Sequence, residues 1–489
     1  MKYPSVFRAP FQIRWSTVGA IVTLAGAAGL VAGSAWLSVQ FIVDPRSVIW
    51  LNQFLPVEAR IPVVGGDEPR TLAEVQTALK KAGLTTGDPL LLEGTAKKNT
   101  DLLLPILKRQ DNCDLDCDRI IELRVYRPIP SANGRSKKQY VQMISQLGID
   151  ESDESFVVAP IVKARPGGYQ AADRSLPFTT LQRLEDRAPN GTWLNLAGQI
   201  ETGDTPVAYG QIVHFNPTRT RLNALLRWTS PAGETPTWKK PAKGNPPELW
   251  INQTVGLEPD FQAYQLRARK SANNPLQLTP ISLAVPALDN GAYIDALYLA
   301  RSGLWSTALE ILQSVKKRSA LSEWTPAAQT QMNLVAKHAQ VTRSQAEKPW
   351  VSIGQQALVN LIDGRWARAQ QLLQTSATDQ NEIATLLKTD SGRLWKRVSA
   401  ALKINPYRQD VQTWGALILA SQQGRSPAIA WLKKQPIESS VARAQTLKLI
   451  NQLDSSQLDP DAELTAPLLP QKPTQKSPQP PEPTVRTLP

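Results

Sequence analysis

Histidine, cysteine and methionine are scarce in this chain, which leaves little material for sites built from those residues. The 489 residues include 2 histidines, 2 cysteines and 3 methionines. Neither His214 nor His338 stands at metal-ligand spacing to the other or to a cysteine, and zinc or thiolate chemistry needs such clusters. Motifs for nucleotide binding, nucleophilic catalysis or zinc-dependent hydrolysis are also missing. We therefore predict a protein that is not an enzyme and uses no cofactor or metal.

Charge is missing from one long segment near the N-terminus. Residues 16–43 carry no charged side chain, whereas residues 1–15 carry three cations and no acid. About 20 apolar residues span a bilayer, and preceding cations favour a cytoplasmic N-terminus. We predict a cytoplasmic segment at 1–15 and a single transmembrane anchor at 16–43, in contact with membrane lipid. The rest would lie in a periplasm, lumen or extracellular space; a cleaved signal peptide is the alternative.

Residues 44–137 read as a small α/β module. Apolar residues recur at helical spacing over 71–84, and the run at 100–108 suggests a second short helix. Strict alternation at 120–129 predicts a half-buried strand.

Both cysteines of the chain, Cys113 and Cys117, fall in the module's acidic stretch 109–123. An exported compartment favours oxidation, so we predict a disulfide that closes a turn before the strand. Two cysteines supply only half of a zinc site. A calcium loop needs a glycine where Arg119 stands. Calcium and a redox pair remain the alternatives.

Short strand-like runs separated by turn signals fill residues 138–285. Such spacing predicts a β-rich domain, either a sandwich or an open barrel. The run at 155–164 is included among these strands. Four tryptophans fall here, and they either fill the core or form an aromatic platform for a glycan or peptide; they are Trp193, Trp228, Trp238 and Trp250.

The pattern changes to helices in residues 286–453. Segments 296–313, 357–374 and 416–433 resemble one another. The first two align without gaps, so that Gly303 matches Gly364 and Trp305 matches Trp366, while Gly424 lies in the third segment. Each pattern predicts two helices joined at a glycine, with small residues that let the helices approach. Such hairpins bury their second face against neighbours, which predicts an α-solenoid.

Residues 400–432 resemble a tetratricopeptide repeat. Ala401 and Pro406 lie where such a repeat ends, and Trp414 fits the opening aromatic residue of the next repeat. Ala428 lies one position short of the usual small residue. The resemblance extends in patches over residues 290–435 and implies a solenoid that binds another protein on its concave face.

Positive charge is concentrated in the helical part, while residues 454–489 form a Pro-rich tail that we expect to be disordered. The net charge of the chain is +13, and residues 290–453 hold about 20 lysines and arginines against about 10 acids. This surplus predicts an acidic protein partner; nucleic acid is not expected on the exported side. The basic residues singled out are Lys316, Lys317, Arg318, Arg365, Arg368, Arg393, Lys396, Arg397, Lys433 and Lys434.

The sequence thus predicts an α+β, multidomain protein that acts as a membrane-anchored scaffold or adaptor. It would present a β-rich domain and a basic helical-repeat domain on the exported side. Two alternatives stay open: an envelope enzyme or glycan-binding protein that works through the tryptophan-containing domain, and a structural subunit of a membrane complex.

Overall fold

The computed structural model describes residues 69–92, 100–110, 118–129, 139–164, 169–184, 191–202, 205–239, 246–268, 276–320, 322–373, 377–436 and 439–457. These residues form two compact units. The β-rich unit contains the described residues up to 239, with 246–252 and 264–279. The helical unit contains 253–263 and the residues from 280 onward. The predicted anchor and both cysteines lie outside the described residues, as does all of the tail beyond residue 457.

The strands and the first two helices follow one another in chain order. They are β1 (Arg70–Thr71), α1 (Leu72–Lys81), β2 (Thr85–Thr86), β3 (Leu90–Leu92), β4 (Asp101–Arg109), β5 (Asp118–Ile129), β6 (Tyr140–Gly148), β7 (Ser152–Asp153), α2 (Glu154–Ala164), β8 (Ser175–Leu176), β9 (Thr180–Arg183), β10 (Thr192–Thr202), β11 (Thr205–Asn216), β12 (Arg221–Ser230), β13 (Thr237–Lys239), β14 (Glu248–Asn252), β15 (Phe261–Ala268) and β16 (Leu276–Pro280).

These strands form three main sheets. The first has the order β1-β6-β5-β4-β2, with β3 also paired to β4; the second has the order β12-β11-β10-β9, and the third β13-β14-β15-β16. Adjacent strands of the first two sheets are antiparallel. Strands β7 and β8 form a separate small pair.

Alternating side chains give the first sheet two buried faces. Leu103 and Val125 share a core with Leu194 and Phe215 of the second sheet. On the opposite face, Leu104 packs with residues of α1 in a separate core. Because successive side chains of a strand point to opposite faces, β4 is apolar on both sides.

The structure corrects two predicted elements. Residues 100–108 form strand β4 rather than a helix, because burial on both faces removes the polar alternation that marks a strand. Residues 155–164 form helix α2 rather than a strand. There Val157 and Val158 are buried, and the Val157 carbonyl accepts a hydrogen bond from Thr229 at 2.7 Å. Tertiary packing therefore overrides the β-propensity of this valine-rich segment.

One predicted domain boundary also needs correction. The boundary between residues 137 and 138 would separate β5 from β6, yet these strands pair along eight residues of each in the same sheet. The first two predicted domains are therefore parts of one compact unit.

Ten helices of the described residues follow β16. They are α3 (Gly291–Arg301), α4 (Trp305–Arg318), α5 (Pro326–Glu347), α6 (Ile353–Asp363), α7 (Trp366–Leu372), α8 (Ala377–Thr389), α9 (Arg393–Ile404), α10 (Gln409–Gln423), α11 (Arg425–Lys433) and α12 (Ser440–Gln457). Side chains from all ten contribute to one core. The α+β class, with a β-rich part before a helical part, is thus confirmed.

Candidate functional site

Each of the three similar segments contains two helices joined at a glycine. Gly303 follows α3 with φ +90°, Gly364 follows α6 with φ +80°, and Gly424 follows α10 with φ +90°. This left-handed region is costly for residues with a Cβ atom, so the glycines are required by the turns that they form.

The two aligned tryptophans behave differently. Trp366 is buried, and its carbonyl oxygen accepts a hydrogen bond from the Trp414 indole at 2.9 Å. Trp305 is only partly buried, and its ring stacks on His338 with 3.9 Å between centroids. Identical positions in the alignment therefore make different contacts.

A buried carboxylate links the first two hairpins. Asp363, which closes α6, accepts hydrogen bonds from Ser306 at the start of α4, from Thr342 at 2.6 Å and from Arg365 at 2.7 Å. The aspartate is 2% exposed. A buried charge needs such partners to offset its desolvation, so this network fixes the two turns side by side.

His338 occupies a second buried polar position of the helical unit. Its Nε2 atom accepts the Phe261 backbone N–H at 2.9 Å, and its Nδ1 atom lies 2.8 Å from the Leu334 carbonyl oxygen. Accepting at Nε2 means that Nδ1 carries the proton. Burial lowers the pKa of His338 to about 4. The residue is therefore a neutral structural contact, and nothing in these contacts marks it as a catalyst.

Nine of the ten predicted basic residues have exposed or partly exposed side chains. Arg365 is the partly exposed one, since it pairs with Asp363 and Glu347. Arg397 is the exception and is a correction, because it is 3% exposed and pairs with Glu258 at 2.5 Å. Its guanidinium packs against the turn at Gly303, so it stabilises the fold and is not part of the surface.

Helices α3 and α9 bring four cations together. Lys396 donates to the Arg301 carbonyl oxygen at 3.2 Å, and the Lys403 ammonium lies 4.7 Å from the ring centroid of Tyr298 on α3. Arg393 is 4.0 Å from Glu258, which is the acid already paired with Arg397. We call the exposed side chains of Arg301, Arg393, Lys396 and Lys403 the α3–α9 face.

Sequence reasoning found only half of the α3–α9 face. Arg393 and Lys396 were singled out, whereas Arg301 and Lys403 were missed. A signal for Lys403 was present, since positions 393, 396 and 403 share one side of a helix. No local pattern could place Arg301 beside a residue that follows 95 positions later.

The four tryptophans of the β-rich unit do not form an exposed platform. Trp193 and Trp228 are 1% exposed, and Trp238 and Trp250 are 5% and 6% exposed. Trp228 donates to Asn195 at 2.9 Å, and Trp193 meets Trp238 edge to face at 4.8 Å. Trp193, Trp228 and Trp238 belong to the core between the second and third sheets, while the buried Trp250 donates to Glu248 at 3.1 Å. This burial counts against glycan stacking.

The described residues contain no candidate metal site and no membrane-spanning helix. No three histidine, cysteine or acidic side chains within them are grouped so that they could hold a metal ion. None of their helices is both long enough and apolar enough to cross a bilayer.

The chain matches no family model and no curated sequence.

Proposed function

We propose that this chain is a single-pass, membrane-anchored adaptor whose helical unit binds an acidic protein on the exported side. The observation that carries the proposal is the α3–α9 face, where four exposed cations lie on two neighbouring helices and one of them, Arg393, comes within 4.0 Å of Glu258. Such a surface attracts partners of opposite charge and speeds their encounter.

The hairpins support the adaptor role. Three helix–glycine–helix units in one helical core fit a solenoid of the tetratricopeptide-like kind, and such architectures serve to bind proteins. The carboxylate of Asp363 holds the first two hairpins together, because it accepts hydrogen bonds from Ser306 of the first and Arg365 of the second. A partner would therefore meet a preformed surface, which lowers the ordering cost of binding.

The anchor is proposed from the sequence of residues 16–43, which lack charge, and the disulfide Cys113–Cys117 is proposed together with export. An anchor confines the helical unit to the plane of the membrane and so raises its effective concentration for partners there. Binding in this account requires neither a cofactor nor catalysis.

Co-purification in mild detergent tests the proposal. The wild type should recover a partner whose yield falls as salt rises, because salt screens exposed charges. A variant with Arg301, Arg393, Lys396 and Lys403 all changed to Gln should lose that partner. The matched control changes Lys316, Lys317, Lys433 and Lys434 to Gln and should retain it. Recovery of the wild type as a lone monomer would refute the adaptor, and equal retention by both variants would refute the face.

A further inference from the structure

An open groove lies on the helical unit, apart from the residues of the α3–α9 face. It encloses about 600 Å³, within the range of about 300–1,000 Å³ typical of ligand sites. The end of α5, the turn at Gly364 and the start of α10 form its walls. Its charged lining consists of Glu347, Arg365, Arg368, Arg408 and Asp410.

Two acidic side chains hold the Arg365 guanidinium in place. Its Nε atom donates to the buried Asp363 at 2.7 Å, while its Nη2 atom reaches Glu347 at 2.9 Å. The Glu347 side chain is 64% exposed, and exposed ion pairs contribute only about 0–1 kcal/mol. Asp363 therefore fixes the Nε side of the guanidinium, whereas the Nη2 side pairs with a glutamate that a ligand carboxylate can replace.

Two further arginines, Arg368 and Arg408, line the groove. Arg368 is exposed and bonds Gln371 at 2.9 Å, with no ion pair to any described residue. Arg408 pairs with Asp410. Arginine presents a planar fork that matches carboxylates. Arg368 bonds no acid among the described residues, and Arg365 pairs with the exposed Glu347, so these two forks can accept ligand carboxylates.

We propose that this groove binds an acidic peptide segment, and that Glu347 is an internal competitor which occupies Arg365 until a ligand carboxylate replaces it. An extended peptide fits because the groove is open to solvent and its arginines come from two different hairpins. At least two carboxylates are needed to engage Arg365 and Arg368 together. This site is separate from the α3–α9 face and does not rest on the function proposed above.

Fluorescence anisotropy with labelled hexaglutamate, titrated with the full chain in detergent, tests the proposal. The wild type should bind saturably and more weakly as salt rises. Arg368→Gln should weaken binding by about 10-fold, because it removes a charge-assisted contact. Glu347→Gln should tighten binding by about 2- to 5-fold, because the competitor no longer carries a charge.

Glu310→Gln is the matched control for the competitor. Glu310 pairs with Arg343 at 2.9 Å and is 67% exposed, much like Glu347 on Arg365, but it does not line the groove. It should leave hexaglutamate binding unchanged. Absence of saturable binding, or weaker binding after Glu347→Gln, would overturn the proposal. If the four-residue α3–α9 variant lost hexaglutamate binding while Arg368→Gln kept it, the peptide would bind at the α3–α9 face. That result would refute the groove proposal but not the adaptor proposal.

Discussion

At the scale of single residues, two buried polar side chains hold distant parts of the helical unit together. His338 joins the strand residue Phe261 to α5, and Asp363 joins two hairpin turns. Neither role could be predicted from the sequence, because both depend on partners that are distant in the chain.

His338 should make stability depend on pH. Its pKa is about 4 in the folded chain against an ordinary 6.5, so the unfolded chain binds more protons between these values. Stability should therefore fall as pH drops from 6.5 to 4, by about 3 kcal/mol in total from this group. Asp260 raises the pKa of His338 and Lys337 lowers it, and both effects are smaller than that of burial.

Urea titrations at several pH values measure this effect as the difference between the wild type and His338→Gln. The glutamine can still accept the Phe261 N–H but does not titrate, so its stability should change less over pH 4–6.5. Parallel pH profiles for the two proteins would show that His338 is not the titrating group.

Asp363 should matter far more to stability than Glu347, although both pair with Arg365. Asp363→Ala leaves two hydroxyl groups and a guanidinium without their buried acceptor, and we expect a loss of about 2–4 kcal/mol. Glu347→Ala removes only an exposed partner and should cost less than about 1 kcal/mol. Urea unfolding at neutral pH gives both values, and equal losses would contradict the network described here.

At the scale of elements, the hairpins were predictable and two other segments were not. Glycines at the turns and helical periodicity around them are local signals, so the three helix–glycine–helix units follow from sequence. Strand β4 is apolar on both faces and α2 is rich in valine, so their local patterns indicate the wrong element. Packing decides both, and packing is set by residues far away in the chain.

The turn at Gly303 offers a test of element packing. A Cβ atom there would lie 2.7 Å from Nη2 of Arg397, and that guanidinium cannot move without losing Glu258. Gly303→Ala should therefore destabilise the chain by about 2–4 kcal/mol. Gly392→Ala has nearly the same φ, +89°, but meets nothing within 4 Å, so it should cost only about 1 kcal/mol. If urea unfolding showed similar losses of unfolding free energy for the two variants, the Arg397 contact would not contribute to stability.

At the scale of the whole molecule, the α+β composition was predictable but the division into units was not. Residues 253–263 read as part of a strand series, yet they group with the helical unit through Glu258 and Phe261. The predicted boundary at 137/138 failed because sheet pairing crosses it. The local sequence does not show which segments pair in a sheet, whereas the change from strand-like to helical patterns can be recognised in it.

The proposed orientation can be checked on intact cells. A reporter that is active only after export, fused at the C-terminus, should be active in the full chain because residues 16–43 would carry the rest across the membrane. Deleting residues 1–43 should abolish the signal. Activity of a cytoplasm-only reporter at the same position would contradict export, and with it the proposed disulfide at Cys113 and Cys117.

The claim that the α3–α9 face is the binding surface is tested most directly by site-specific photo-crosslinking in cells. A photoreactive residue placed at Lys396 or Lys403 should yield one and the same covalent adduct with an acidic protein, since both positions lie on the face. The same residue at Lys433, which is exposed on another helix, should yield none. Adducts at Lys433 equal to those at Lys396, or no adduct at either face position, would contradict the account.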